Sequence, residues 1–164
     1  MSKQLAGYVN EYRRQLEAGI IQQAYRGVMN YIMDLRNYFA NKYYGDIVVG
    51  NIHHGYMDFT YFSVTPLLLK DKKLKVAIIF FHESMRFDIW LAGQSRQVQK
   101  KYWEFIKGGD WKEGAVSSSP RDSILESVLI GRADFEDQDA MTGQIEDKAM
   151  RFIDEIVASP YFRE

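Results

Sequence analysis

The sequence has no cysteine, and this absence excludes several kinds of chemistry at once. Disulfide bonds, thiolate metal ligands and cysteine nucleophiles all need the missing side chain. A chain without cysteine is also typical of a reducing compartment. We therefore expect a cytoplasmic protein.

Long apolar runs and an excess of one charge are missing too. The longest uninterrupted apolar run, residues 76–81, is too short to cross a bilayer, and the chain opens into a helical pattern without a signal-peptide core. The 21 basic and 22 acidic residues leave a formal net charge of −1, so no whole-molecule field attracts nucleic acid or anionic lipid. We expect a soluble protein with neither a membrane nor a nucleic-acid partner.

The familiar catalytic motifs are absent from the sequence. It contains no Gly-rich phosphate loop, no HExxH, no paired CxxC and no GxSxG. This lowers the expectation of a common enzyme class and leaves open whether the protein is an enzyme at all.

What is present is an ordinary globular composition with many aromatic residues. A chain of 164 residues with 46% hydrophobic and 26% charged residues is typical of one domain, here spanning residues 1–164. Aromatic residues make up 15%, and 11 of them are tyrosine, which suits half-buried positions because the ring is buried while the hydroxyl keeps a partner. The tyrosines indicate either a binding surface or the edge of a small core.

Apolar periodicity divides the chain into helices and strands. Three- and four-residue steps from Leu5 to Leu16 and from Ile21 to Phe39 predict two helices, with a stop at Gly19 and a connection short enough for an antiparallel helical hairpin. The pattern then changes to a period of two and to continuous apolar runs. These predict strands at 47–49, 57–64, 73–81 and 86–91, and the short turns between them favour an antiparallel meander.

The rest of the chain predicts helices on the sheet. Apolar residues between 98 and 106 indicate a third helix, and residues 123–130 are compatible with a fifth strand or a short helix. Asp139 is a suitable N-cap for a final helix. Its predicted buried face consists of Ile145, Ala149, Phe152, Ile153 and Ile156. The fold class is therefore α+β: an N-terminal helical hairpin, an antiparallel four- to five-strand meander, then helices packed on the sheet.

The histidines are all predicted at one edge of this sheet. In a meander the first and third turns lie at the same end, so His53 and His54 share a rim with His82 and Glu83. Such a rim is a candidate site for zinc or a similar divalent metal, although adjacent histidines point to opposite faces and only one of the pair would join. Turn histidines are more commonly solvated, so we expect no cofactor and keep the metal as the alternative.

A second candidate site follows from strand alternation. Arg86, Asp88 and Trp90 share the face turned away from the helices, and Asp58 and Thr60 lie on the same surface in one of the two registers. Carboxylates beside an arginine and a tryptophan are suited to orienting a polar ligand, whereas an exposed salt bridge is the alternative. A sheet face that includes Trp90 is also unusually apolar, which indicates a cover such as the C-terminal segment or the second subunit of a homodimer.

Three stretches resemble a known family. They are YVNEYRRQLEAGIIQQAYRGVMNYI (8–32), YMDFTYF (56–62) and LKVAIIFFHESMRFDIWLAGQSRQVQ (74–99), and they are similar to a family of small bacterial proteins catalogued only as a domain of unknown function. The last stretch contains His82, Glu83, Arg86, Trp90 and Arg96, and we add Arg96 to the ligand-binding candidates. The resemblance implies a single domain and brings no established activity, cofactor or ligand.

Together these patterns predict a non-catalytic domain that binds a small ligand or a protein partner. The alternative is a small metal-dependent hydrolase or nuclease-like enzyme that uses the His/Glu rim. The sequence does not indicate which ligand is bound.

Overall fold

The computed structural model describes residues 2–163, and for Ser2 it describes the backbone only. Contacts divide the chain into two compact units, one ending at Leu35 and the other beginning at Arg36. Within the described residues the elements are α1 (Ser2–Ala18), α2 (Ile20–Lys42), β1 (Ile47–Val49), β2 (Phe59–Pro66), α3 (Leu67–Asp71), β3 (Leu74–Phe81), β4 (Arg86–Gly93), α4 (Arg96–Ile106), β5 (Ala115–Val116), β6 (Leu125–Ile130), α5 (Gln138–Ala158) and a 3₁₀ turn (Pro160–Phe162).

The first unit consists of α1 and most of α2, and it corrects the predicted helical hairpin. Both helices are present, but only Gly19 separates them, at a φ of 77°. An antiparallel helix pair needs a loop of about two to five residues to reverse the chain. The Gly19 amide instead donates to Leu16, and the amide of Gln23 donates to the Gly19 carbonyl. The two helices therefore do not pack side by side.

The second unit is built on a six-stranded antiparallel sheet. The strand order is β1-β2-β3-β4-β6-β5, which confirms the meander of the first four strands. Residues 125–130 form strand β6, which answers the question left open by the sequence. Strand β5 was not predicted, because two residues are too few to show a period. Strand β2 begins after the predicted Met57, since Met57 has a φ of 66° in the preceding bend.

One face of this sheet is buried. Its side chains alternate along the strands, and they include Phe62, Val64, Leu74, Val76, Ile78, Phe80, Phe87, Ile89 and Leu91. Helix α4 contacts β4 and helix α5 contacts β6. Each fully buried side chain of this size contributes roughly 1.5–3 kcal/mol of transfer free energy, so this face is the main source of stability.

Helix α5 packs as the sequence predicts, with one difference at its start. Its buried residues include Ile145, Ala149, Phe152, Ile153 and Ile156. The N-cap is Asp137 rather than Asp139, because the Asp137 side chain accepts a hydrogen bond from the amide of Ala140. Asp139 lies in the first turn, where an acidic side chain still interacts favourably with the helix dipole.

A carboxylate joins α5 to the C-terminal end of α2. Glu146 accepts hydrogen bonds from Tyr38 Oη at 2.5 Å and Tyr43 Oη at 2.6 Å, and it pairs with Lys42 Nζ at 2.5 Å. Burial raises the pKa of Tyr43 to about 12, and the Glu146 carboxylate adds to that shift. This cluster holds two elements that are more than 100 residues apart.

The end of β4 is held against α4 by a close backbone approach. A Cβ at Gly93 would lie 2.5 Å from the amide nitrogen of Gln99, so only glycine fits without a shift of the backbone. The Gln99 side chain accepts from the Gly93 amide at 3.0 Å and donates to the Pro120 carbonyl at 2.9 Å. Gln99 thereby positions the loop that leads to Asp122. No helix among the described residues is long and apolar enough for a membrane span.

Candidate functional site

The second face of the sheet is only partly covered. Strand register pairs Phe59 with Phe81, Tyr61 with Ile79, and Ala77 with Trp90. Directly paired residues point to the same side of a sheet, so these side chains share one surface, which we call the open sheet face. Phe59 remains 38% exposed there.

A depression of about 370 Å³ lies on the open sheet face. Its lining residues are Phe59, Tyr61, Lys75, Ala77, Ile79, Phe81, Trp90, Ala92 and Asp122, and we call it the aromatic cleft. The volume lies near the lower end of the range of roughly 300–1,000 Å³ for small-molecule sites. The small side chains of Ala77 and Ala92 leave room between the larger rings.

Aromatic rings form the sides of this cleft. Phe81 and Trp90 have ring centroids 5.9 Å apart, and those of Phe59 and Tyr61 are 6.2 Å apart. The His53 ring stacks on Tyr61 at 4.7 Å. Rings in this arrangement favour a flat partner, because its faces and edges can contact several quadrupoles at once.

Charged residues lie at the margins of the cleft. Lys75 Nζ lies 5.4 Å from the centroid of the Tyr61 ring. Asp122 lines the aromatic cleft and also a second depression, of about 570 Å³, together with Arg96, Lys100 and Arg121. We call this second one the basic depression. Within residues 2–163 none of its three cations forms a side-chain ion pair, so they remain available to an anion.

Arg86 and Asp88 form an ion pair beside the cleft. The Arg86 Nε–Asp88 Oδ1 distance is 2.8 Å without hydrogen-bond geometry, whereas Nη2 donates to Oδ2 at 3.0 Å. Burial raises the pKa of Asp88, although Arg86 and then the Trp90 indole oppose that rise. The predicted common face of Arg86, Asp88 and Trp90 is present, but only Trp90 lines the cleft. Arg86 and Asp88 line a separate depression with Glu126.

Asp58 and Thr60 do not join the open sheet face. Asp58 Oδ1 accepts from the amide of Phe59 at 2.7 Å and of Tyr56 at 2.8 Å, and these bonds lower the pKa of Asp58. Its carboxylate therefore fixes the bend before β2. Thr60 is 1% exposed and pairs with Phe80, on the buried face of the sheet. The observed register of β2 on β3 places Phe59 and Tyr61 on the open sheet face, so Asp58 and Thr60 are not part of the ligand site.

The structure does not assemble the predicted metal site. His53 stacks on Tyr61 of the open sheet face, whereas His82 Nε2 lies 2.8 Å from Thr60 Oγ1 on the opposite face. Burial lowers the pKa of His82, and Asp58 partly offsets this. His54 and Glu83 are exposed. Across residues 2–163, no three His, Asp or Glu side chains are placed to hold a metal ion.

Several residues of the cleft were missed by the sequence analysis. Phe59, Tyr61, Lys75 and Ala77 reach the cleft through strand register, and Asp122 comes from a loop. The alternation of Phe59 and Tyr61 along β2 was a usable signal. That alternation alone does not show which face of the sheet Phe59 and Tyr61 occupy. The register of β2 on β3, and of β3 on β4, is needed to place them on the same face as Trp90.

Residues 5–159 match the family described as a domain of unknown function (DUF7000), and the chain belongs to this family. This confirms the resemblance noted in the sequence. No curated protein matches the chain. No solved structure matches it either.

Proposed function

We propose that the protein is a non-catalytic binding domain whose aromatic cleft takes a flat, largely apolar small molecule. The observation that supports this most strongly is the lining of the cleft, in which seven of the nine residues are apolar or aromatic. A surface of this kind on a sheet is costly to leave in water and suited to burying a ring.

The size of the hydrophobic contribution limits what the cleft achieves alone. Burying an aromatic group of about 150–250 Å² gives roughly 4–6 kcal/mol at 25 cal/mol per Å². Loss of translational and rotational freedom on association costs at least about 4 kcal/mol. The difference of at most about 2 kcal/mol means that an uncharged aromatic ligand would bind very weakly, with a dissociation constant of roughly tens of millimolar or higher.

The basic depression supplies a polar determinant for the same ligand. It adjoins the cleft through Asp122, and its Arg96, Lys100 and Arg121 outnumber that single carboxylate. A hydrogen bond to a charged group contributes about 1.5–3 kcal/mol, which is tenfold or more in affinity. We therefore expect a ligand with a flat apolar body in the cleft and an anionic substituent directed towards these cations.

Isothermal titration calorimetry with two matched probes tests this proposal. Naphthoate has a flat ring system and a carboxylate, whereas naphthylmethanol has the same rings and a neutral hydroxyl. We expect saturable binding of naphthoate, at least about tenfold tighter than that of naphthylmethanol. Absence of saturable binding for both probes would reject the cleft as a site for flat ligands.

A further inference from the structure

Helix α1 carries an apolar face whose side chains are exposed. Leu5 is 62% exposed, Tyr8 65%, Val9 51% and Tyr12 62%. These residues recur at three- and four-residue steps and therefore lie on one side of the 17-residue helix, in line with Leu16.

Four of the five charged residues of α1 are already paired with one another and lie outside the apolar face. Arg13 Nε is 3.0 Å from Glu17 Oε1, and Arg14 Nη2 is 2.6 Å from Glu11 Oε1. These pairs lie within the helix at i,i+3 and i,i+4 spacing. The apolar face consequently presents no charge that a partner would have to neutralise.

Packing of the apolar face is the main source of stability for a helix of this length. Isolated helices shorter than about 12–15 residues are marginal in water, and the 17 residues of α1 only just exceed that length. Helix α2 does not provide that packing, because the two helices are not side by side. A second surface that covers Leu5, Val9 and Tyr12 would therefore stabilise α1.

We propose that a second copy of this chain covers it, with the two α1 helices packed antiparallel. The steps from Leu5 to Val9, Tyr12 and Leu16 are four, three and four residues, and this series is the same in both directions. A two-fold axis between residues 10 and 11 would therefore place each Val9 opposite a Tyr12 and each Leu5 opposite a Leu16. This inference is independent of the aromatic cleft.

The area indicates a weak dimer. A large side chain has an area of about 150–250 Å², so the exposed fractions of Leu5, Tyr8, Val9 and Tyr12 together amount to about 500 Å² per copy. The total of about 1,000 Å² is at the lower limit of specific interfaces. We expect a dimer that dissociates at micromolar concentration.

Sedimentation equilibrium of the full chain over about 1–100 µM tests the dimer. The mass should rise with concentration from one chain towards two. Val9→Glu places two carboxylates near the axis and should give one chain throughout, whereas Asn10→Glu adds the same charge on the opposite side and should dimerise like the unaltered chain. A single-chain mass for the unaltered protein at every concentration would overturn the proposal.

Cysteine cross-linking tests the orientation and does not depend on how the Val9→Glu variant folds. The natural sequence has no cysteine, so each introduced thiol is unique. A mixture of the Val9→Cys and Tyr12→Cys chains should cross-link several times faster than either chain alone. Equal rates would contradict antiparallel packing.

Sedimentation of a monomeric chain with phosphatidylserine vesicles would also overturn the proposal, because it identifies a membrane surface as the cover.

Discussion

Trp90 and Ala77 are directly paired across β4 and β3, and this unequal pair gives the aromatic cleft its depth. The indole is large, whereas the methyl group opposite it is small. The centroid of the Phe81 ring, two strand positions on from Ile79, lies 5.9 Å from that of the indole, with the two rings tilted at 50°. The cleft thus depends on one large and one small side chain at neighbouring positions.

Filling that position should remove binding. Ala77→Phe places a ring in the cleft next to Trp90 and should lower naphthoate affinity at least tenfold, as measured by calorimetry, because the ligand would have to displace it. Val128→Phe is the matched control, since Val128 is an exposed residue of the same face that does not line the cleft. Equal affinity of the Ala77→Phe and unaltered proteins would mean that the probe binds elsewhere.

A charge reversal in the basic depression should change selectivity rather than overall binding. Lys100→Glu should weaken naphthoate about tenfold and leave naphthylmethanol unchanged, since only the carboxylate interacts with the cation. Lys101→Glu is the control, because Lys101 is the exposed neighbour and lies outside the depression. A parallel loss for both probes would contradict a specific role for Lys100.

The main elements of the fold follow from the sequence because each has its own local signal. Helix α5 shows a 3.6-residue period along its buried face, and β3 and β4 are separated by a tight turn that requires antiparallel pairing. The helical hairpin was wrong for a physical reason. The pattern of α1 shows which side is apolar, but it does not show what covers that side.

The site was only partly predictable. Alternation along β4 correctly placed Arg86, Asp88 and Trp90 on one face. Whether the even or the odd residues of β2 join that face depends on strand register, and a shift of one residue exchanges Thr60 for Tyr61. Loop residues such as Asp122 are placed by tertiary contacts through Gln99 and leave no period in the sequence.

The Arg86–Asp88 pair should respond asymmetrically to mutation. Arg86→Ala leaves the Asp88 side chain, which is only 7% exposed, without its cation. We expect the free energy of unfolding to fall by about 2 kcal/mol at about pH 7, a value reduced because the Arg86 side chain is 39% exposed. Burial raises the pKa of Asp88, and loss of Arg86 raises it further. A raised folded-state pKa favours the protonated form, so the cost should shrink as pH falls through that pKa.

Urea unfolding at about pH 7 and about pH 5 measures this effect. The Arg86→Ala/Asp88→Asn double variant is the control, and it should be more stable than Arg86→Ala at the higher pH because no carboxylate is left unpaired. A cost for Arg86→Ala that is the same at both pH values would contradict the account.

The ionised Glu146 carboxylate should make the free energy of unfolding decrease at acidic pH. Burial alone would raise the pKa of Glu146, but the bonds from Lys42, Tyr38 and Tyr43 outweigh it and lower that pKa. The stabilisation is therefore present above the unfolded-state value of 4.5 and is lost as pH falls through the lowered folded-state pKa.

Glu146→Gln should accordingly cost about 1–3 kcal/mol at about pH 7, and the variant and unaltered protein should converge in acid. Asp147→Asn is the neighbouring control, because its ion pair with Arg151 is more than half exposed and should contribute little. Thermal unfolding across the acid range checks both variants. A constant difference between Glu146→Gln and the unaltered protein would count against the charge of Glu146 as the cause.

The most direct test of the binding function is a map of backbone amide chemical shifts by NMR during titration with naphthoate. We predict that the shifted amides cluster on β2, β3 and β4 around Tyr61, Ala77 and Trp90, extend to Lys100 and Arg121, and disappear in Ala77→Phe. Shifts confined to other parts of the chain, or no saturable shifts at all, would contradict the assignment of the aromatic cleft as the ligand site.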